Sequence, residues 1–365
     1  MDLIDELAGV VGVDAHAHFF GADLADALSA AFPDAPQDLR WPRLVTDGSS
    51  GTLMLGETPF RTVRSVLWDV DERIAELDAA GIAIQVISPV PVMLAYWAEE
   101  DAAIRYSTAT NDSIAAAVSR SRGRLAGLGT VPLPHVAAAV AELQRVVREL
   151  RLPGVEIGTQ IAGYDLDAPD LDPFFAAAEK LGAVLFVHPT DGGGGVVRRG
   201  GQPYDFGLGM TTDTAVAATA LVFGGVLDRH PDLRICLAHG CGTFTWSYPR
   251  LRLGAQIWND ADPAHLDRLL ASLWVDSLVF DPEHLRLLVH RFGADRIVLG
   301  TDYPFVAGQL DGARTFLAGA HDRGALTREN AADVLGRNAQ VLFGRVDGRA
   351  RTATTSTSTA AGAFG

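Results

Sequence analysis

Five side chains of metal-binding type stand at the ends of strand-like runs in this chain of 365 residues. His16 and His18 lie in VVGVDAHAHF, His188 in AVLFVHP, His239 in RICLAHG and Asp302 in RIVLGTDYP. Residues i and i+2 of a strand point to the same side, so both imidazoles of the HAH pair can reach one ion. A single histidine at a strand end is more often a hydrogen-bonded core residue than a ligand. Four strand ends that together deliver four histidines and an aspartate form a joint signal, and that signal is a divalent metal site.

The elements that must position these groups repeat along the chain. Strand candidates begin at Val10, Ala83, Leu125, Gly154, Ala183, Arg234, Leu273 and Arg296. Several are apolar throughout, as parallel strands buried on both faces are. Amphipathic stretches at Asp71–Ala80, Ala137–Leu150, Pro173–Leu181, Thr214–Arg229, Pro282–Phe292 and Arg328–Phe343 alternate with them. Eight strands, most followed by a helix, predict an α/β fold, a (β/α)8 TIM barrel, whose catalytic face is the rim at the C-terminal strand ends. One domain is expected over residues 1–348. Residues from about 21 to 68 interrupt the repeat with Pro, Gly and short β-like pieces (GTLML, PFRTVRSVL) and read as a small cap over the barrel mouth. The low-complexity run at 349–365 reads as a disordered tail.

Composition bounds the partners. A formal net charge of -15, spread along the chain, repels nucleic acid and anionic membrane. No apolar run reads as long enough for a membrane span. Cys236 and Cys241 are too few for a disulfide framework, and the N-terminal run starts acidic, without the basic segment of a signal peptide, so a cytoplasmic location is expected. GGGG at 192–195 lacks the Lys-Ser/Thr of a phosphate-binding loop and reads as a mobile loop. Cys241 reads first as a small buried thiol.

The motifs DAHAHFF, WDVDERIAELDAAGI, SPVPVMLAYWA, GLGTVPL, LPGVEIGT, LFVHP, LAHGCGTF and LGTDYPF together resemble the amidohydrolase superfamily. SPVPVMLAYWA and LGTDYPF are similar to its decarboxylase branch, typified by aminocarboxymuconate-semialdehyde decarboxylase. The resemblance covers nearly the whole chain apart from the tail and most of the insertion. It implies a mononuclear site with His16, His18, His188 and Asp302 as ligands, usually around Zn²⁺ with Mn²⁺ as the other candidate, and His239 beside the ion as acid/base. Binuclear relatives bridge their metals with a carboxylated lysine at the end of the fourth strand. The only lysine here, Lys180, falls in a helix ahead of the fifth strand, and the fourth strand carries Glu156. One ion is therefore expected, with Glu156 as a packed or hydrogen-bonded carboxylate.

The same resemblance points to a nonoxidative carboxy-lyase acting on an unsaturated or aromatic carboxylic acid. Arginine suits such a substrate because its planar fork binds a carboxylate through two bonds. Arg64 matches an arginine of the family's RxxxWD segment. Arg250, eleven residues after His239, has the spacing of the arginine that family dimers insert into the neighbouring subunit, so a homodimer is expected, with Arg252 as a rival. Phe305 and Trp97, or Tyr96, are candidate pocket walls, against ordinary core packing. The chain departs from the family after His188, where HPTDGGGGVVRRGGQPYDFGLGM replaces a Trp-rich segment, and near Thr58, where a lysine is missing. Arg198 and Arg199 in that loop are candidates for an anion contact or for plain solvation. A metal-dependent hydrolase or hydratase is the competing chemistry, and a non-catalytic barrel is the competing class. A scaffold has no physical need for five metal-type groups on one rim.

Overall fold

The computed structural model describes residues 3–24, 41–190 and 197–344. Helix α1 (Leu3–Ala8) leads into strand β1 (Val13–Phe19), every residue of which is buried. The insertion follows as an antiparallel sheet, β2 (Pro42–Asp47), β3 (Ser50–Leu55) and β4 (Thr58–Arg64), in that spatial order. Helix α2 (Val70–Ala80) begins at Asp69, whose side chain accepts the N–H groups of Asp71 and Glu72, and ends at Gly81 with φ 67°. Both are expected of a capped helix, since an acceptor fills the orphan donors and only glycine enters the left-handed region without strain.

The repeat then runs β5 (Ile84–Pro89), α3 (Glu100–Arg120), β6 (Leu125–Gly127), α4 (Val136–Arg148) and β7 (Gly154–Gly158). After a small hairpin, β8 (Gln160–Ile161) and β9 (Tyr164–Asp165), come α5 (Asp172–Leu181) and β10 (Val184–His188). Helices α6 (Met210–Phe223) and α7 (Val226–Arg229) precede β11 (Arg234–Leu237), and α8 (Phe244–Asn259) and α9 (Pro263–Ser272) precede β12 (Trp274–Asp276). The chain continues through α10 (Pro282–Phe292), β13 (Ile297–Val298), α11 (Gln309–Asp322), α12 (Arg328–Ala332) and α13 (Asn338–Phe343).

Two parallel arcs, β1-β5-β6 and β7-β10-β11-β12-β13, hold the eight barrel strands in sequence order. They meet at two seams, where Gly129 bridges Val155 and Tyr303 bridges Ala17. The second seam is reinforced by Ala15 N–H to Leu299 O at 2.8 Å and His18 N–H to Tyr303 O at 2.7 Å. The arrangement is the (β/α)8 barrel. Val13, Val86, Val184, Phe186, Trp274 and Val298 pack inside it, with Leu342 and Phe343 of α13 closing the end where the strands begin. A larger apolar layer lies between strands and helices. A third cluster joins Leu53 and Val63 of the cap to Phe20, Val90, Met93 and Phe305, which follow the C-terminal ends of β1, β5 and β13. The inserted sheet thus sits on the catalytic rim.

One irregularity matters for the chemistry. The pairing of β1 with β5 skips a residue between Asp14 and Ala17. Val13 and Ala15 pack in the barrel interior, whereas Ala17 and Phe19 pack in the outer layer. The extra residue shifts the alternation, and the shift turns His16 and His18 inward.

The reading that no apolar run reaches span length is corrected: among the described residues, 205–223 is one helical stretch long and apolar enough by composition. Half of its most apolar window is buried, with Ala217, Ala218, Leu221 and Val222 in the outer core layer, as in a barrel helix rich in small residues. The tail at 349–365 and the glycine run at 192–195 lie outside the described residues.

Candidate metal centre

His16 and His18 of β1, His188 at the end of β10 and Asp302 just beyond β13 are all buried, and one ligand atom from each lies within 4.8 Å of the others. Each imidazole is oriented through Nδ1. His16 Nδ1 donates to Asp276 Oδ2 at 2.7 Å, His18 Nδ1 to Pro89 O at 2.9 Å, and His188 Nδ1 to Pro189 O at 2.8 Å. A proton held at Nδ1 leaves the lone pair at Nε2, and all three Nε2 atoms are buried without a hydrogen-bond partner among the described residues. Asp302 Oδ1 faces two of them, at 3.1 Å from His18 and 3.6 Å from His16. Ligand atoms about 2.0–2.1 Å from a tetrahedral ion stand roughly 3.4 Å apart, so the spacing fits. Lone pairs that converge in a buried space with no proton between them repel, and a divalent cation removes that repulsion.

The charges agree. Burial opposes ionisation of Asp302, but the facing His18 and His16 imidazoles outweigh it and hold the carboxyl at about 2. Burial likewise opposes a charge on His16, yet Asp276 and then Asp302 raise it to about 9. The carboxylates thus draw positive charge into the cluster, which a bound cation supplies.

His239 stands beside this set rather than in it. Its ring lies 4.9 Å from that of His188 and 5.3 Å from that of His16. Burial, followed by the charge of His16, lowers its pKa, so the ring is neutral and able to take a proton. Its Nδ1 is buried without a hydrogen-bond partner among the described residues. His239 and Asp302 both have left-handed backbone, φ 55° and 53°. Such geometry costs a non-glycine residue on the order of 1–3 kcal/mol and persists only where surroundings impose it. Asp276 does so for His239, accepting its N–H at 2.9 Å, that of Gly240 at 2.9 Å and that of Leu278 at 3.0 Å. Sequence reading missed Asp276; its available signal was an acid at the end of the seventh strand run, LWVDSLV, as Asp302 is beyond the eighth.

The other candidates divide. Phe305 reaches the cluster, its ring 5.5 Å from that of His18. Arg64 points elsewhere: its two terminal nitrogens donate to Glu76 at 2.5 and 3.1 Å, and its side chain is 57% exposed. Arg61, three residues earlier and not singled out in the sequence, puts its guanidinium 4.8 Å from the centre of the Phe305 ring. Alternation along β4 separates the two arginines, because positions 61 and 64 face opposite sides of the strand. Trp97 packs in the cap, 4.6 Å from Trp41, whereas Tyr96 OH accepts the Gly158 N–H at the end of β7.

Arg250 is exposed on α8, and Arg252 is bonded to Asp267. Glu156 is fully buried beside Phe186 of the interior, accepts from Ser88 Oγ at 2.6 Å and lies 3.7 Å from His18. Burial, offset in part by His18 and Ser88, raises it to about 7. Lys180 is exposed on α5, Thr58 is exposed at the start of β4, and Arg198 and Arg199 are exposed. Cys241 is buried, and burial raises its thiol out of the reactive range. A cavity of about 590 Å³ opens beside His239, walled by Phe206, Met210, Trp246, Leu278 and Phe280.

The amidohydrolase family profile matches residues 13–345, and the chain belongs to that family. It is 37% identical over 299 residues to 2-amino-3-carboxymuconate-6-semialdehyde decarboxylase of Dictyostelium discoideum, covering 80% of this chain and 81% of that protein. Its fold is similar to that of 5-carboxyvanillate decarboxylase from Sphingomonas paucimobilis, with TM-score 0.73 and 23% identity over 92% of this chain and 99% of the other. It is also similar to a dihydroxybenzoic acid decarboxylase from Polaromonas sp. JS666, crystallised with manganese and 2-nitroresorcinol (TM-score 0.68, 22% identity, 91% and 96% covered). Within the family the chain is a metal-dependent decarboxylase, a carboxy-lyase.

Proposed function

We propose that the substrate is an aromatic or α,β-unsaturated carboxylic acid, held between the metal cluster, Phe305 and Arg61, with His239 moving the proton. The carrying observation is the stack of the Arg61 guanidinium on Phe305 and of Phe305 against His18. It fixes a cation and a flat apolar face at the mouth of the cluster, which are the two features such an acid requires. The bound ion supplies Lewis-acid polarisation of the substrate's oxygens. His239, neutral at rest, takes up a proton from solvent and delivers it to the carbon that bears the leaving carboxylate. The C–C bond then breaks, its electron pair stays with the carbon skeleton, and CO2 departs. The step leaves His239 neutral, as it stood at rest. The apolar cavity beside His239 gives the carbon skeleton room and excludes water. The names of the relatives and of the fold neighbours support this substrate class.

For the ion we propose zinc, supported by three imidazoles and one carboxylate in a tetrahedral spacing. Manganese is the second reading, favoured by the manganese-bound neighbour. Elemental analysis of the protein as purified decides between them. The reaction is tested by a CO2-release screen over aromatic and unsaturated acids with metal-loaded protein and a His239→Ala control. Release that disappears in the control supports the reading, and hydrolysis without CO2 overturns it.

The reading includes a homodimer. Trp246, Leu253, Ile257 and Trp258 of α8 are exposed at 83%, 54%, 60% and 81%, and they form one apolar stripe at helical spacing with Arg250 in its midst. A second copy covering this stripe carries Arg250 to the neighbouring mouth. Light scattering on Ile257→Asp tests it: a monomer is expected, and an unchanged dimer removes α8 from the interface. The reducing cytoplasm is the compartment this reading assigns, supported by two free, buried thiols.

A further inference from the structure

Two of the four metal-site residues, His16 and Asp302, are carried by backbone that the regular sheet holds poorly. The ladder between β1 and β5 is interrupted between Asp14 and Ala17, across His16, and β13 is two residues long and ends before Asp302. A chain of buried side chains takes over there. Arg73 of α2 is 0% exposed, and its three N–H contacts go to Val66 O at 2.9 Å, to Gln85 Oε1 at 2.6 Å and to the carbonyl of His18 at 2.6 Å. Gln85 passes the link on, donating from Nε2 to Asp14 Oδ2 at 2.7 Å. The same oxygen accepts the hydroxyl of Thr301 at 2.6 Å, while Asp14 Oδ1 accepts the His16 N–H at 3.2 Å. Every member of the chain is buried.

We propose that Arg73, Gln85, Asp14 and Thr301 form a positioning relay that sets the spacing of the HAH pair relative to Asp302, and so sets the affinity of the site for its ion. The relay ends on the His18 carbonyl, on the His16 N–H and on the residue next to Asp302, so one connected network reaches three of the four ligands. The guanidinium is boxed between aromatic faces, 4.9 Å from the centre of Tyr303 and 5.8 Å from that of Phe19, which fixes its plane and hence the direction of each N–H. A buried charge is costly, and a core needs none for packing alone; a hydrophobic side chain of equal volume fills the space as well. What it cannot do is hold a carbonyl in place. The link to Val66 also ties the exit of the cap to the ligand strand.

The inference rests on the metal reading, and the experiment separates the two. Zn²⁺ affinity is measured by chelator competition for the whole chain, for Arg73→Met, Arg73→Lys, Gln85→Leu and Thr301→Val, and for His188→Ala as the ligand control. Outer-sphere partners of metal ligands change affinity by about 10–100-fold, and that loss is expected for Arg73→Met and Gln85→Leu. Arg73→Lys, which keeps the charge but not the fork, is expected to fall between. Thr301→Val is isosteric and removes one bond, so it folds and loosens the site least, by about tenfold or less. The second readout is the Co²⁺-loaded absorption spectrum, whose visible bands report ligand geometry. Altered bands in Thr301→Val are expected. Equal Zn²⁺ affinity and an unchanged Co²⁺ spectrum in Thr301→Val and Gln85→Leu overturn the relay, even if melting falls. A wild-type chain that takes up no metal overturns the metal reading instead.

Discussion

Asp276→Asn tests the centre at its least obvious support. The carboxylate accepts four hydrogen bonds: His16 Nδ1 at 2.7 Å, and the N–H groups of His239, Gly240 and Leu278 at 2.9, 2.9 and 3.0 Å. Burial opposes its ionisation, but the bond from His16 and the surrounding donors keep it below the carboxylate range. Asparagine has one acceptor oxygen. If that oxygen keeps Gly240 and Leu278, the NH2 group faces His16 and the His239 N–H. His16 then moves its proton to Nε2, and the nitrogen that should bind the ion carries a hydrogen. Restoring the correct tautomer sets donor against donor, which costs about 1–3 kcal/mol. One decade corresponds to about 1.4 kcal/mol, so the loss in metal affinity is about 10–100-fold, the range found for such outer partners. Chelator competition measures it in wild type, Asp276→Asn, His16→Ala and the double variant. Because the effect passes through His16, Asp276→Asn should cost little more once His16 is gone, a strong non-additivity. An affinity within threefold of wild type, or an equal loss in the His16→Ala background, refutes the reasoning.

Three further outcomes are expected. His239→Ala should lower turnover by about 10²–10⁴ and keep its metal, and loss of the ion would make His239 a ligand instead. Arg61→Ala should lower kcat/KM for carboxylic acids by about 10–100-fold, from the loss of a charge-assisted bond worth about 1.5–3 kcal/mol; Arg64→Ala loses only an exposed pair, worth about 0–1 kcal/mol, so a reversed order of effects in steady-state kinetics would restore Arg64 to the site. Removing the ion with chelator should lower the melting temperature, because an ion held at a thousandfold excess over Kd contributes about 4 kcal/mol, and a calorimetric scan unmoved by chelator would argue against a buried ion.

How legible this was in sequence depended on whether the signal was local. The eight strands were legible because barrel strands are apolar runs, and helices such as Pro282–Phe292 because a buried stripe has helical period. Helix α3 was not: its buried face includes Ala103, Ser107, Thr110, Asn111 and Ser113, small and polar residues that leave no stripe. Helix α8 hid for the opposite reason, since Pro249 interrupts it and its exposed side carries tryptophans. The HAH pair was read correctly as facing one way, but which way depends on a skipped residue in the ladder, and no pattern in VDAHAHF announces it. Arg61 and Arg64 are equivalent as letters. Only the register of β4 against β3, with its irregularity between Leu53 and Met54, determines which of them turns toward the mouth.

The buried acids make the same point at the level of chemistry. Asp14, Glu156, Asp276 and Asp302 all lie on or beside barrel strands, and in sequence only Asp302 and Glu156 attracted a role. Their functions separate by which atoms face them. Asp302 faces Nε2 lone pairs and has no donor of its own to satisfy them, so it can act only with a cation between. Asp276 faces the opposite edge of the same His16 ring and three backbone N–H groups, so it fixes a tautomer and a turn. Asp14 faces an amide, a hydroxyl and the His16 N–H, and joins strands where the ladder is broken. Glu156 faces one hydroxyl and has one oxygen without a partner, and burial raises it to about 7. A bridging ligand must stay ionised and face a second set of lone pairs. Glu156 faces the Ser88 hydroxyl and, at 3.7 Å, the His18 Nδ1 that itself donates to Pro89 O, so its position is that of a hydrogen-bonded carboxylate rather than of a bridging ligand.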